Sequence, residues 1–289
     1  MILIGIVIAL LALLTYSIAD GLSKYPSRII GHNRTAVIVL ATGTLATLSM
    51  FTIPQLVGTM TPIVIALSVA AGFLEGAWYL WVFKSLETEQ VGNTMALVDV
   101  PYAIIVLFGI LILIEPITNI EVIGIIGIFA GVALVMSRDH FKINRKLIPA
   151  LAGNIMLGFF YVAFIYAVTL SGGIAIPATI AKLVAFVIVL ADTLLFYKPR
   201  KHTGIDKPLK LRSLPFLSAV LVGIFDAAGA IGVAAYSLLG IVVLGGAIVA
   251  IEPAIVMLFG FEFYRERFTP FQLFGFILII ACAVLLNTV

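Results

Sequence analysis

"GFLEGAWY" occupies residues 72–79 and "GIFDAAGA" occupies residues 223–230. Each places an acid, Glu75 or Asp226, three positions after a glycine and inside a long apolar run. The glycines lie 151 residues apart, and so do the acids. One acid in an apolar run is an energetic cost. The same acid at the same place in two runs points to a duplicated architecture. How these stretches are read decides whether the chain is a packed soluble core or a set of membrane helices.

Composition answers that question. Of 289 residues, 63% are hydrophobic and 11% charged, and the mean hydropathy is +1.24. A soluble domain carries about 25% charged residues; a water-facing surface cannot be built from so few. The chain reads as an all-α integral membrane protein. His32, His140 and His202 sit in polar connections, and the single cysteine, Cys282, lies in an apolar segment. No disulfide framework or Cys/His metal cluster follows, and no cofactor is called for. The opening "MILIGIVIALLALLTYSIAD" lacks a basic leader and a small-residue cleavage site, so it reads as a retained first span.

A spanning helix needs about 20 mostly apolar residues. That length places ten spans near 1–20, 34–53, 63–83, 93–114, 121–137, 147–169, 177–197, 214–237, 244–262 and 270–288. The polar run "SRDHFKINRK" at 137–146 divides five spans from five. The expected organisation is a first five-helix repeat at 1–137, a cytoplasmic linker at 138–146 and a second repeat at 147–289. The halves echo one another in order. "EPITNIEVIG" at 115–124 and "ERFTPFQLFG" at 266–275 match at Glu115/Glu266, Thr118/Thr269 and Gly124/Gly275, again 151 residues apart. Pro101 and Pro253 lie 152 apart. An odd number of spans per half inverts the second half relative to the first. That is the inverted-topology repeat of secondary transporters, with the substrate site near the midplane.

With five-plus-five spans and E-x-x-T-x-x-[EQ]-x-x-G bridging the last two spans of each half, the chain resembles the EamA-type drug/metabolite transporters. "YSIADGLSKYPSRIIG" at 16–31 and Gly131-Val132-Ala133-Leu134 are similar to family segments. The resemblance implies proton-coupled or facilitated movement of small metabolites, often export. It also implies a cavity surrounded by spans 1, 3, 4, 6, 8 and 9, with 5 and 10 peripheral. Two departures stand out: Tyr16-Ser17 where the family often has Trp-Gly, and Lys182 where it has arginine.

Sixteen of the 17 Lys and Arg fall in or beside the connections after spans 1, 3, 5, 7 and 9; Lys182 alone lies within a span. The basic side faces the cytoplasm, so both termini are expected outside the plasma membrane. Asn33-Arg34-Thr35 matches a glycosylation sequon but would then be cytoplasmic.

A charge at the centre of a span costs about 2.5–3.5 kcal/mol. Glu75, Asp99, Lys182, Asp192, Asp226 and Glu252 all lie within the expected spans, so they should face each other or a wet cavity. Helical spacing puts Gly72, Trp78 and Tyr79 on the face of Glu75. A carboxylate beside two aromatic rings suits an organic cation. Asp99 has Tyr102 at i+3, and Glu252 directly precedes Pro253. Pro101 and Pro253 read as hinges, since proline inside a helix frees a carbonyl and invites a kink. The candidate substrate or proton site is therefore Glu75, Trp78, Tyr79, Asp99, Tyr102, Asp226 and Glu252, with Lys182 as supporting charge. Glu75 is expected to meet substrate or proton directly, exchanging protons near neutral pH. Asp226 is expected to tune the cavity or pair with Lys182, and Gly229 and Ala230 leave room around it. Each of these acids also has a plainer reading, as a hydrogen-bonded group between helices. Asp192 reads as structural. Asp20 and Lys24 read as boundary charges, and Glu115 and Glu266 as caps of their own turns. Gly127 and Gly131 form G-x-x-x-G, for packing within the chain or for a dimer face.

The expected function is a secondary-active transporter of a small metabolite, organic cation or amino acid, with no nucleic-acid partner, as monomer or homodimer. The alternatives are an intramembrane enzyme acting on a lipid-linked substrate, or an ion channel. The first lacks a nucleophile motif within the spans, and the second lacks a filter or a ring of like charge.

Overall fold

The computed structural model describes residues 2–95, 97, 119–138, 142–143, 145–196, 211–240, 242–249 and 251–286. Its elements are helical because the apolar runs are long enough to span a bilayer. In lipid, a helix satisfies every backbone polar group internally. The helices are α1 (Ile2–Ile30), α2 (His32–Leu48), α3 (Pro62–Leu86), α4 (Val91–Met95), α5 (Asn119–Met136), α6 (Ile148–Ser171), α7 (Ala175–Leu195), α8 (Leu214–Leu238), α9 (Val242–Val249), α10 (Glu252–Tyr264) and α11 (Pro270–Leu286). Within the linker, Ser137–Arg138 pairs antiparallel with Lys142–Ile143.

Among the described residues, six segments are long and apolar enough to cross a membrane: Ile2–Ile30, His32–Thr52, Pro62–Leu86, Arg145–Ser171, Ala175–Leu195 and Leu214–Leu238. Val122–Val135, Ile255–Tyr264 and Pro270–Cys282 are shorter apolar helices. The expected span at 93–114 falls almost wholly outside the described residues. The expected ninth span, 244–262, is described as two helices, one ending at Val249 and the next starting at Glu252, with Ile251 in a turn before it. Pro253 therefore sits in the first turn of α10 rather than in mid-helix. Proline has no N–H to donate, and the first turn is where none is needed.

The first helix also differs from the expected 1–20. α1 continues to Ile30 through Pro26, a rise of about 44 Å. Asp20 and Lys24 are thus helical and buried, at 7% and 1% exposure, and are not boundary charges. Asn33 is buried as well and donates to Asp192 Oδ2 at 2.7 Å, which accounts for both residues as structure.

Packing runs across the halves. α1 lies along α8, α3 along α6, α2 against α7 and α8, α7 also against α3, and α5 along α11. The G-x-x-x-G is used within the chain. A Cβ at Gly131 would stand 2.9 Å from the Gly275 carbonyl oxygen, and one at Gly275 would stand 2.8 Å from that of Gly131. The core lies between α2, α3, α6, α7 and α8. Large apolar side chains such as Leu11, Phe73, Val187, Leu221 and Phe274 cover the outer faces.

Candidate functional site

The site starts from the two glycines of the opening stretches. A Cβ on Gly72 would lie 2.6 Å from the Ala181 carbonyl oxygen of α7. A Cβ on Gly223 would collide with the Val39 carbonyl of α2. Only glycine lets α3 close on α7 and α8 close on α2. One turn further along each helix stands its acid, and both acids are turned toward Lys182 of α7.

Lys182 Nζ donates to Glu75 Oε1 at 2.5 Å and also to Asp226 Oδ2. It lies 5.5 Å from the centroid of the Tyr79 ring. All four side chains are buried. Each charge, costly alone in an apolar medium, is offset by an opposite one. The offset is incomplete: two carboxylates face one ammonium. Glu75 Oε2 is buried with no hydrogen-bond partner. The Tyr79 hydroxyl is likewise buried with no hydrogen-bond partner.

Glu75 and Asp226 also line a cavity. Its other acids are Asp20 from α1 and Glu252 from α10; its rings are Tyr16, Trp78, Phe160 and Tyr161, and Leu157 completes it. The free space is about 20 Å³, room for roughly one water. The rings are fixed by their neighbours. Trp78 Nε1 donates to Asn154 Oδ1 at 3.0 Å, and Asn154 donates back to the Ala150 carbonyl at 2.9 Å. Trp78 meets Tyr79 edge-on with centroids 4.7 Å apart, and Phe160 stacks on Phe164 at 5.3 Å. Tyr16 and Tyr161 both stand on the cavity wall. Asp20 and Glu252 are both buried along this cavity.

The structure brings together Glu75, Trp78, Tyr79, Asp226, Glu252 and Lys182 from the sequence-derived set. Asp99, Pro101 and Tyr102 lie outside the described residues. Sequence reasoning missed Tyr16, Asp20 and Tyr161. Asp20 follows Tyr16 by four residues, so the two share a helix face, and that spacing was the available signal. Tyr161 in "GFFYVAF" carried none.

Glu266 is corrected too. It does not cap its own turn; its carboxylate accepts from the N–H groups of Val91 at 2.7 Å and Gly92 at 3.2 Å, and it pairs with Lys24. Its own turn is closed by Thr269 and Gln272. Thr269 N donates to Gln272 Oε1 at 3.0 Å, and Gln272 N donates to Thr269 Oγ1 at 3.3 Å. This is a capping box, the physical content of T-x-x-[EQ] in the repeated motif. Tyr264 OH completes the cluster by donating to the Gly21 carbonyl at 2.8 Å. Among the described residues, no group of three or more His, Cys, Asp or Glu is placed to hold a metal ion.

Residues 3–137 match the model of the EamA-like transporter family. The match covers a little under half of the chain, and the long apolar helices suit a multi-pass membrane protein. No curated protein matches the chain. A solved crystal structure, described only as that of a protein, matches over 97% of this chain and 95% of its own at 17% identity, with a TM-score of 0.65. At that identity the likeness concerns the fold.

Proposed function

We propose that this chain, whose residues 3–137 carry the sequence of the EamA-like transporter family, is a secondary-active carrier. Its solute is a small metabolite, an organic cation or an amino acid, moved across the plasma membrane by alternating access with proton coupling. The observation that carries this reading is the cavity itself. Helices from both halves bring four acids to one space, walled by aromatic rings. A passive scaffold has no use for so many buried acids, whereas a carrier uses them to bind a cation or a proton in turn.

Ten spans in two inverted halves are part of the proposal. Inversion exchanges the first helix of one half with that of the other, and the third with the third. α1 on α8 then becomes equivalent to α6 on α3, and both pairs are in contact. Gly72 against α7 and Gly223 against α2 form a second equivalent pair.

Both ends of the bundle are tied across the halves. At one end, Glu266 joins α1, α4 and the turn before α11. At the other, Thr59 N donates to the Ser171 carbonyl at 2.7 Å, Ser171 Oγ donates to the Thr59 carbonyl at 3.0 Å, and Ile174 N donates to the Leu56 carbonyl at 2.8 Å. With about 20 Å³ free, the cavity holds no metabolite until one end opens. A rocking of the halves about the central acids supplies that opening.

Proteoliposomes test the function. Saturable uptake of a cationic or zwitterionic metabolite, driven by a pH gradient, is expected. Flux that rises linearly with concentration would mean a channel. Orientation is tested by Thr203→Cys in a Cys282→Ala background. The basic connections place Thr203 inside, so an impermeant thiol reagent should leave it unlabelled in intact cells; ready labelling overturns the assignment.

A further inference from the structure

We propose that Lys182 is the resting occupant of a primary-ammonium site, and that the carried solute presents its own primary ammonium to the same two carboxylates. The inference rests on the carrier reading and narrows its substrate class. Two carboxylates on different helices, with a ring face beside them, form a cation site by their chemistry. An ammonium carries three donors on a compact charge. Lys182 occupies the site with such a group, bridging Glu75 and Asp226 beside Tyr79.

Three features make the occupancy exchangeable. Glu75 and Asp226 line the cavity while Lys182 does not, so a solute reaches the acids from the face opposite the lysine. Glu75 Oε2 is buried and without a partner, an acceptor already on offer. The lysine stem runs past Gly43, where an added Cβ would stand 3.6 Å from Lys182 Cδ; the missing side chain leaves that flexible stem room to move. Charge sets the stoichiometry. Two carboxylates and one ammonium leave a single negative charge, which one monocation neutralises. The solute's ammonium then shares the two carboxylates with Lys182, entering at the open Glu75 Oε2. A quaternary ammonium has the charge but no N–H to give to Glu75 Oε2, so the site distinguishes it from a primary amine.

The test is chemical rescue, read as binding rather than transport. Purified Lys182→Ala is titrated with n-propylammonium, tetramethylammonium and n-propanol while thermal unfolding is followed by tryptophan fluorescence. The expected result is a saturable rise of a few degrees in the midpoint with n-propylammonium alone. The rise should be absent from Lys182→Ala/Glu75→Gln/Asp226→Asn. Equal shifts in both proteins, or none in Lys182→Ala, overturn the proposal. Should Lys182→Ala not fold, Lys182→Arg decides. Its guanidinium holds both acids as a rigid fork, so KM for an ammonium solute should rise at least tenfold at unchanged midpoint; an unchanged KM overturns the proposal. Failure of the rescue in a protein that transports sinks only this inference. Rescue in a protein that transports nothing sinks only the carrier reading.

Discussion

α3 and α8 carry the same frame, a glycine and then an acid one turn later, and they build different walls. On α3 the residue after the next turn is Trp78, which reaches into the cavity and is anchored by Asn154 of α6. On α8 the matching residue is Gly229. The room left there is not empty: the Tyr16 ring of α1 fills it, 2.7 Å from where a Cβ would stand. One wall grows from the helix that bears the acid, and the other is supplied by its neighbour. The position 151 residues after Tyr16 is Ala167, so the large residue stands on opposite partners of the two matched sequence stretches. The tightly packed glycine one turn before each acid fixes where the acids stand. Side-chain volume, traded between packed helices, decides what surrounds them.

The largest effect should come from the group the two sides share. Lys182→Met leaves Glu75 and Asp226 together without their cation, at a cost of about 3–5 kcal/mol in unfolding free energy. Adding Glu75→Gln and Asp226→Asn should recover most of that loss. If the triple variant is no more stable than the single one, Lys182 is held by packing and the two acids are not equivalent partners.

Gly229→Phe tests the trade of volume. Its ring overlaps Tyr16 and should cost about 1–3 kcal/mol, and Tyr16→Ala in the same chain should restore most of the loss. Additive costs in the double variant would mean that Tyr16 does not fill the Gly229 space.

Unequal walls should give unequal function. Glu75→Gln should keep the fold and lose pH-dependent flux at least tenfold, equivalent to about 1.4 kcal/mol, and Asp226→Asn should lose less. An unchanged rate and pH profile in Glu75→Gln would make that carboxylate structural. The smallest expected effect is on the wall's anchor. Trp78→Phe strands the buried Asn154 carbonyl and should cost about 1 kcal/mol. Trp78→Phe/Asn154→Leu should cost less than Trp78→Phe alone, and a larger loss in the double variant would locate the anchor elsewhere.

Composition and length by themselves determined that the chain is a membrane protein built of helices, because so few charges cannot cover a water-facing surface. Period and spacing placed helices such as Pro62–Leu86, Ile148–Ser171 and Leu214–Leu238 within a few residues, but not the end of α1. They also singled out Glu75, Asp226, Glu252 and Lys182, because a charge in an apolar run is visible in one dimension. Nothing in one dimension signalled that α1 runs on to Ile30, that Asp20 shares a cavity with Glu252, that Tyr16 fills the space at Gly229, or that Glu266 serves the start of α4. Helical periodicity specifies which face of a helix a residue occupies. It does not specify which helix that face will meet, and a charge near a span's end looks the same whether it is headed for water or for a partner 242 positions away, as Lys24 is for Glu266. Only the crossing of α1 with α8 and α10 turned boundary charges into buried ones, since burial belongs to the assembled bundle and to no single helix.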